Sequence, residues 1–432
     1  MKDSMRFLLA ILSFLLYTPS VWAWDFCLLN EDSIMLYYNI VDLDEGSCEV
    51  TLCRGAEYKC DILRIPGDIV LNRGNWDFGD PDTMLTVIGI GEDAFRYDAK
   101  HPDVYNFTSE IGIVALPNSI EYIGECAFCG SKLTRIVWPE GNEWFHSIGK
   151  NAFSNSDLSE ITIPRTIMEI GRSAFANSGV TRVEFEEGNR FLTKIPYACF
   201  SSCEILQEVR MCNSITEIGE RAFMNCTRLR TVHLGSGLKT IGKSAFEECK
   251  ELAPPKLPYG LEFIWERGFA GHGYWRSFEL PSTIRDLGKY AFCSYKIINY
   301  ELDTRLYFPY IDSLYVNKEV TPYCASEESL GDYTYWDKNL RSYTRVIQET
   351  VLVVPMGCVE EYATTYPWDR FSRKWICARD VSGVKTATVK ESQPEGVFSL
   401  DGKRLAKPQK GLNIIRHKDG MAKKVVVKKT PY

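Results

Sequence analysis

One segment of the sequence has the residue pattern of a phosphate-binding loop. Residues 237–244 read GLKTIGKS and match the pattern GxxxxGK[ST]. The backbone N–H groups of such a loop cradle phosphate when a buried strand precedes it and a helix follows it. Here, however, residues 241–246 read IGKSAF, one copy of a hexapeptide that recurs along the chain without the first glycine. We therefore expect this segment to belong to a repeat and not to bind a nucleotide.

Cysteine is the other residue type that could do chemistry, with 15 copies in 432 residues. Cys126 and Cys129 form a Cys-x-x-Cys pair, which is half of a zinc site or a redox pair. No second pair accompanies it, and the two residues between the cysteines belong to the recurring hexapeptide. Cys48, Cys53 and Cys60 precede the repeats. An exported chain permits one disulfide among these three, but their spacing does not show which two would pair. We predict no metal site.

The sequence predicts neither an enzyme nor a cofactor site. The five histidines are scattered, and neither Gly-x-Ser-x-Gly nor His-Glu-x-x-His occurs. A hydrolase site in residues 296–350, around Glu327 and Asp337, is the remaining catalytic option, but a solvated charged loop is the simpler interpretation. The formal net charge of −7 gives no electrostatic footprint for nucleic acid. Residues 381–432 contain 12 Lys and Arg against 4 Asp and Glu, so a basic tail of +8 follows an acidic body of −15.

A hexapeptide, Ile-Gly-x-x-Ala-Phe, organises the middle of the chain. Its closing phenylalanines are Phe95, Phe128, Phe153, Phe175, Phe200, Phe223, Phe246, Phe269 and Phe292, of which Phe200, Phe269 and Phe292 end weaker copies. Successive phenylalanines are 33, 25, 22, 25, 23, 23, 23 and 23 residues apart. A nearly fixed period of this length indicates a solenoid.

A second recurring element, Leu-x-x-Ile-x-Ile-Pro, lies between successive phenylalanines. Apolar, β-branched residues two apart and followed by proline predict a short strand with one buried face. A single coil has too few apolar residues to bury that face alone, so the coils must stack. We predict a β-rich repeat solenoid of the leucine-rich-repeat type, with an N-terminal β cap and a small C-terminal β module.

Stacking in register turns recurring residues into rows in space. The nine phenylalanines should form a buried structural ladder. Cys203, Cys226 and Cys249 each follow a phenylalanine by three residues and should form a second inward row of small thiols.

Residues that alternate with the apolar strand positions must point outwards, and they vary in type from coil to coil. We take twelve as the candidate binding face: Arg135, Val137, Glu160, Thr162, Arg182, Glu184, Glu208, Arg210, Thr231, His233, Lys256 and Glu279. The alternative is that these charges only pair with one another across coils. Trp138, at a core-facing strand position, and Trp144 and Phe145, in the connection that follows, are aromatic candidates for an anchor.

The repeat motif resembles that of the BspA-like leucine-rich-repeat proteins, a family of exported, Bacteroidetes-type bacterial proteins. The fullest copies are residues 218–234 and 195–211. Residues 36–40, 48–51 and 62–66 look like the N-terminal strands of that family. Residues 352–357 with Tyr362, Trp368 and Phe371 resemble its closing unit. The resemblance implies adhesion-type partners, such as host extracellular-matrix proteins.

These patterns divide the chain into five parts. Lys2 and Arg6 precede an apolar run at residues 7–16, and small residues follow at 21–23. This arrangement predicts a cleaved signal peptide and no membrane-spanning segment. The predicted parts are a signal peptide at 1–23, an N-terminal β cap at 24–80, the solenoid at 81–295, a degenerate repeat with an insertion and closing unit at 296–378, and a basic β module at 379–432. The basic module, with strands expected near 397–400, 412–415 and 425–427, is either a sorting signal or a capping hairpin.

We expect an exported protein that is secreted, periplasmic or at the outer-membrane surface. Its function would be macromolecular binding and adhesion through the outward strand face. The alternative is a glycan-binding or envelope scaffold protein, in which aromatic residues of the connections stack on sugar rings. The ligand is expected to be a protein or a glycan, and the oligomeric state is left open.

Overall fold

A computed structural model describes most of the chain from residue 25 onwards. The described residues are 25–53, 56–71, 83–98, 100, 108–273, 275–299, 304–309, 311–317, 323–324, 333–337, 342–346, 351–365, 368, 376–379, 394–398, 404–405, 411–417 and 422–427. The predicted signal peptide at 1–23 lies outside them, as does Phe371.

The N-terminal strands pass from antiparallel to parallel pairing. These strands are β1 Phe26–Leu29, β2 Met35–Asp42, β3 Ser47–Val50, β4 Glu57–Arg64, β5 Asp68–Leu71 and β6 Thr83–Ile90. β1, β2 and β3 are antiparallel neighbours, whereas β3 pairs with β6 in parallel. The predicted strands at 36–40 and 48–51 correspond to β2 and β3, and the one at 62–66 overlaps the end of β4.

Each regular coil of the array contributes strands to two series, of which the sequence analysis anticipated only one. The anticipated series is β7 Thr108–Ala115, β9 Arg135–Val137, β11 Glu160–Ile163, β13 Arg182–Phe185, β15 Glu208–Arg210 and β17 Thr231–His233. The second series contains the first residue of the hexapeptide: β8 Tyr122–Ile123, β10 Ser147–Ile148, β12 Glu169–Ile170, β14 Lys194–Ile195, β16 Glu217–Ile218, β18 Thr240–Ile241, β19 Phe263–Ile264 and β21 Asp286–Leu287. Paired strands within each series are parallel, so equivalent residues of successive coils lie side by side.

The strand Trp275–Leu280, between Phe269 and Phe292, still belongs to the array and to the anticipated series, and strand structure continues beyond it. The later strands are β20 Trp275–Leu280, β22 Cys293–Asn299, β23 Thr304–Pro309, β24 Ile311–Val316, β25 Tyr323–Cys324, β26 Tyr333–Asp337, β27 Ser342–Val346, β28 Val351–Pro355, β29 Ile376–Arg379, β30 Pro394–Phe398, β31 Arg404–Leu405, β32 Gly411–His417 and β33 Ala422–Val427. One short helix, α1 Val359–Thr364, buries Tyr362. β20, β24, β28 and β29 form one sheet, and β31, β30, β32 and β33 form another. The predicted C-terminal strands therefore overlap β30, β32 and β33, whereas β31 was not anticipated.

The glycine of the hexapeptide allows successive coils to approach closely. A Cβ atom at Gly242 would lie 2.6 Å from the carbonyl oxygen of Ile218 in the preceding coil. A side chain at this position would therefore force the two coils apart.

The phenylalanines of the hexapeptide form one internal file. All nine rings are buried, and adjacent ring centroids from Phe95 to Phe269 are 5.0–5.4 Å apart with planes within 18°. The last step, from Phe269 to Phe292, widens to 6.2 Å. At the other end, Tyr58 of β4 packs its ring edge against Phe95 at 5.0 Å. The rings are spaced much like adjacent strands, which lie about 4.8 Å apart. The regular file of rings therefore shows that the coils are stacked in register.

A row of small polar side chains accompanies the ring file. The thiols of Cys203, Cys226 and Cys249 donate to the carbonyls of Phe175, Phe200 and Phe223, at 3.1–3.2 Å. Earlier coils have serine in the same place: Ser131, Ser156 and Ser178 donate to the phenylalanine carbonyl of their own coil at 2.7–2.8 Å. The row is therefore longer than the three cysteines, and its members share a buried donor group, not a residue type.

Removing one ring from the file should destabilise the whole array. We expect Phe223→Ala to lower the free energy of unfolding by about 3–5 kcal/mol, because the cavity lies between two stacked rings and cannot collapse easily. Urea denaturation measures the change. The matched control is Met224→Ala, at the half-buried neighbouring position. A loss for Phe223→Ala no larger than the loss for Met224→Ala would contradict a structural file.

His272 occupies the same row one coil after Cys249. Its ring is buried, lies 3.9 Å from the Trp275 ring centroid, and has Nε2 2.8 Å from the carbonyl oxygen of Phe292. Nδ1 contacts the carbonyl oxygen of Gly273. Burial lowers the pKa of His272 to about 4, and the two carbonyl oxygens oppose that shift by favouring the protonated ring.

Acidification should therefore destabilise this end of the array. An unfolded histidine takes up a proton near pH 6.5, whereas His272 in the folded chain stays neutral down to about pH 4. Its contribution to stability is thus present above pH 6.5 and is lost as the pH falls towards 4, by up to about 3 kcal/mol.

The variant His272→Cys, which introduces the residue of the three preceding coils, should remove this part of the pH dependence of unfolding. Cys249→Ser changes the same row without removing the histidine and is the control. If His272→Cys retains the full wild-type loss of stability between pH 6.5 and 4, His272 is not the group responsible.

Candidate functional site

The central part of the outward face is a parallel sheet of four strands, β11, β13, β15 and β17. Pairing in register aligns one outward row as Glu160, Arg182, Glu208 and Thr231, and the next as Thr162, Glu184, Arg210 and His233. The intervening residues Ile161, Val183, Val209 and Val232 are buried. These eight candidate residues therefore lie side by side on one surface, and each is exposed or half-exposed.

The remaining four candidates do not belong to that sheet. Arg135 and Val137 are exposed on β9, which pairs with β7, and Glu279 is exposed on β20, in the sheet with β24. Lys256 is exposed but lies in no strand, contrary to the prediction. Pro254 and Pro255 precede it, and proline has no N–H group with which to continue the ladder. The single long face expected from the sequence is therefore divided.

Charges on the sheet are partly paired with one another. Arg182 contacts Glu184 at 3.0 Å and Arg210 contacts Glu208 at 2.7 Å, in each case within one strand. His233 Nε2 lies 3.5 Å from Glu208 in the neighbouring coil. The anticipated pairing across coils is thus limited to this last contact among the eight residues of the sheet. Such exposed pairs contribute little to stability, typically below about 1 kcal/mol each.

An opening separates β9 from β11. The N–H group of Ser159 donates to the carbonyl of Thr134 at 3.0 Å, and Ser159 Oγ donates to the same oxygen at 3.2 Å. No further backbone hydrogen bond joins the described residues of β9 and β11, and these two strands belong to different sheets. A cavity of about 500 Å³ lies here, lined by Arg135, Ile136, Trp138, Ser159, Glu160, Ile161, Thr162, Arg182 and Glu184. Five of the predicted face residues therefore converge on one concave site.

The aromatic candidates have three different environments. Trp138 is half-buried and lines the cavity, although its position predicted a core side chain. Phe145 is only 2% exposed and packs 5.1 Å from the Trp138 ring centroid, so it supports the cavity and cannot anchor a partner. Trp144 is 68% exposed but does not line the cavity.

Asn142 holds the connection that carries these rings. Its side chain accepts hydrogen bonds from the N–H groups of Trp144 and Phe145, at 2.6 and 2.9 Å, and donates to the carbonyl of Ile120 in the preceding coil, at 2.8 Å. Asn189 makes the equivalent donation to Ile167 two coils later. Sequence reasoning missed this role, although asparagine near the end of both longer connections was the available signal.

The motifs weighed for chemistry fall in structural contexts. Residues 237–244 contain strand β18 followed by a turn, so the helix that a phosphate-binding loop needs does not follow them. No cluster of three metal-ligating side chains occurs within the described parts of the chain. Cys48 and Cys60 are free thiols, so no disulfide forms among Cys48, Cys53 and Cys60. Among the described residues, no helix has the length and apolar character needed to cross a membrane.

The sequence matches a family model described as the BspA type leucine rich repeat region. Six copies match, over residues 101–230 and 193–310. A search of curated proteins finds no match.

Several solved structures are similar to this chain. A leucine-rich repeat protein from Bacteroides ovatus is 18% identical with a TM-score of 0.36, covering 68% of this chain and 94% of its own. A leucine rich repeat protein of T. pallidum is 25% identical with a TM-score of 0.34, covering 53% of this chain and 83% of its own. A leucine rich cell surface protein from Faecalibacterium prausnitzii is 17% identical with a TM-score of 0.24, covering 61% of this chain and 90% of its own.

Proposed function

Because the repeat region of this chain belongs to the BspA type leucine-rich repeat family, we propose that the protein binds a macromolecular partner through its outward strand face. The observation that carries the proposal is the sheet of β11, β13, β15 and β17. Its central inward row, Ile161, Val183, Val209 and Val232, is uniformly β-branched, whereas its outward rows combine Glu, Arg, Thr and His. Extended solenoid surfaces of this kind commonly serve as binding sites.

Rigidity of the face supports this role. The backbone of each strand is held by its neighbours, and the buried residues beneath pack on the phenylalanine file. A partner would therefore order few backbone groups on binding, which reduces the entropic cost of association.

The ion pairs of the face also suit binding. The pairs of Arg182 with Glu184 and of Arg210 with Glu208 are exposed and lie within single strands. Because exposed pairs are weak, their groups can turn to charges on a partner at little cost. Complementary charges across an interface then select the partner and raise the rate of association.

We place the anchor of the interaction at the cavity between β9 and β11. An interface draws most of its energy from a few well-packed, desolvated contacts. The cavity combines the Trp138 ring, the apolar side chains of Ile136 and Ile161, and the charged groups of Arg135 and Glu160. A side chain of a partner protein that filled it would exclude water from both charged and apolar groups.

The same cavity favours a glycan as the second candidate ligand. An aromatic ring can stack on a sugar ring while the neighbouring carboxylate, guanidinium and hydroxyl groups form hydrogen bonds with the sugar hydroxyls.

The proposed compartment is the same for both ligands. We propose an exported protein, on the basis of residues 1–23, with adhesion to host matrix proteins or other cell surfaces as its role. We assign no catalytic activity to the chain.

Binding should depend on the outward face and not on other charged surfaces. Wild-type protein is tested by surface plasmon resonance against matrix proteins and on a glycan array. The face variant combines four substitutions that leave the net charge unchanged: Arg135→Ala, Glu160→Ala, Glu208→Ala and Arg210→Ala. We expect it to bind at least about tenfold more weakly, a loss of about 1.4 kcal/mol or more.

The matched control removes two exposed ion pairs near the second series of strands, again without changing net charge. Its substitutions are Glu125→Ala, Lys150→Ala, Lys194→Ala and Glu217→Ala, and these residues pair at 2.5 and 2.8 Å. The control should bind like wild type. An absence of binding by wild type to every protein and glycan, or an equal loss in both variants, would rule the proposal out.

Trp138 and Trp144 test whether the cavity is the site at which a glycan binds. If the ligand is a glycan, Trp138→Ala should weaken its binding on the array by about fivefold or more, because stacking on an aromatic ring contributes about 1 kcal/mol or more per ring. Trp144→Ala, at an exposed ring outside the cavity, should not. Thermal melting shows whether each variant is folded. A glycan signal that Trp138→Ala leaves unchanged would exclude the cavity as the sugar site.

A further inference from the structure

Cys126 and Cys129 lie at the two ends of one tight turn at the edge of a coil. The N–H group of Cys129 donates to the carbonyl of Cys126 at 3.0 Å, which closes the turn, and Cys126 has a left-handed backbone with φ +54°. Residues at the ends of such a turn have Cα atoms less than about 7 Å apart, which is within the range that a disulfide can bridge.

The side chains at these two positions meet on one side of the turn. In the preceding coil the equivalent residues are Asp93 and Arg96, whose side chains form an ion pair at 3.0 Å. In the Cys126 turn the two thiols lie within hydrogen-bond reach of each other. The equivalent pairs in the next coils are Asn151 with Ser154 and Ser173 with Ala176, so the repeat itself does not demand cysteine here.

The surroundings of the two thiols give them different reactivity. The pKa of Cys129 is lowered to about 7, first by the hydrogen bond with Cys126 and then by the Arg96 guanidinium in the adjacent coil and the Asn155 side chain, whereas burial and the Asp93 carboxylate oppose the shift. The pKa of Cys126 is raised, first by that hydrogen bond and then by burial. Cys129 is half-exposed, whereas Cys126 is only 7% exposed. A reachable thiol that ionises near neutral pH, beside a second protonated thiol, is the arrangement of an attacking and a resolving cysteine.

The cysteines of the internal row show the contrast. Cys203, Cys226 and Cys249 are fully buried, donate to backbone carbonyls, and have pKa values raised by burial. These thiols have a structural explanation. The Cys126 and Cys129 pair has none, because neither side chain belongs to the internal file or row.

We infer that Cys126 and Cys129 form a thiol–disulfide exchange site whose substrate is a reactive disulfide, with Cys129 as the attacking thiol and Cys126 as the resolving thiol. The Cys129 thiolate attacks one sulfur of the substrate disulfide, forms a mixed disulfide and releases one substrate thiolate. The Cys126 thiol gives its proton to that thiolate and attacks the Cys129 sulfur, which releases the second substrate thiolate. The two protein thiols are oxidised to a disulfide, and the substrate disulfide is reduced to two thiols.

The test uses the full chain, fully reduced, with oxidised glutathione as the probe and an oxidised dithiol protein in a second arm. Peptide mass spectrometry should find an internal disulfide between Cys126 and Cys129. Cys126→Ser should instead accumulate a stable mixed disulfide at Cys129. Cys129→Ser should react at least about tenfold more slowly in this turn, because the remaining thiol is buried and protonated. Reaction with glutathione alone indicates a small-molecule substrate, and reaction with the protein alone indicates a protein disulfide.

Cys226→Ser is the control and should leave the exchange unchanged. Alkylation of Cys129 over a range of pH gives an independent readout, since Cys126→Ala, which has no side-chain donor, should move its midpoint upwards by removing the thiol hydrogen bond. The inference is overturned if neither disulfide oxidises the turn, if wild type stops at a mixed disulfide, or if Cys129→Ser reacts as fast as Cys126→Ser.

Discussion

Every strand of the array depends on a neighbouring coil for its backbone hydrogen bonds and for the packing of its buried side chain. The strands are two to four residues long in most coils, too short to be stable alone. Neighbouring coils can form these hydrogen bonds and contacts only when their equivalent residues lie side by side. The nearly constant spacing of the phenylalanine rings shows this alignment. Register is thus the constraint from which the remaining features follow.

This constraint separates positions that must repeat from positions that are free to vary. Inside, the coils supply a ring, an apolar strand residue and, from Ser131 to Cys249, a side-chain donor for a phenylalanine carbonyl. Outside, nothing in the fold specifies Glu160, Arg182, Glu208 or Thr231, although the same ladder places them side by side. A partner can therefore be recognised through residues whose exchange costs the fold little. The Cys126 and Cys129 turn occupies the same kind of permissive position at the edge of the coil.

The features that follow from the repeat period could be predicted from the sequence. The features that depend on local departures from that period could not. The phenylalanine file follows directly from spacing. The second series of strands was missed because strands as short as Tyr122–Ile123 carry no detectable alternation. The serines and His272 were not predicted because the inward row keeps a hydrogen-bond donor at each position while the residue type changes from Ser to Cys to His. Lys256 was predicted to lie on a strand because the repeat period continues through it. Pro254 and Pro255 lack the N–H groups that a strand in the ladder needs, so no strand forms there. Trp138 is more exposed than predicted and Phe145 is more buried, because the longer connection that carries Phe145 folds back onto the end of the strand.

The most direct test of register is a distance between two positions of one outward row. Spin labels introduced as unnatural amino acids at Thr162 and His233 avoid the native cysteines, and these residues occupy the same row three strands apart. Electron paramagnetic resonance should give one narrow distribution consistent with Cα atoms about 14 Å apart, three times the spacing of adjacent strands. A broad distribution, or one centred beyond about twice that separation, would show that the coils are not stacked in register, and the binding face would have no structural basis.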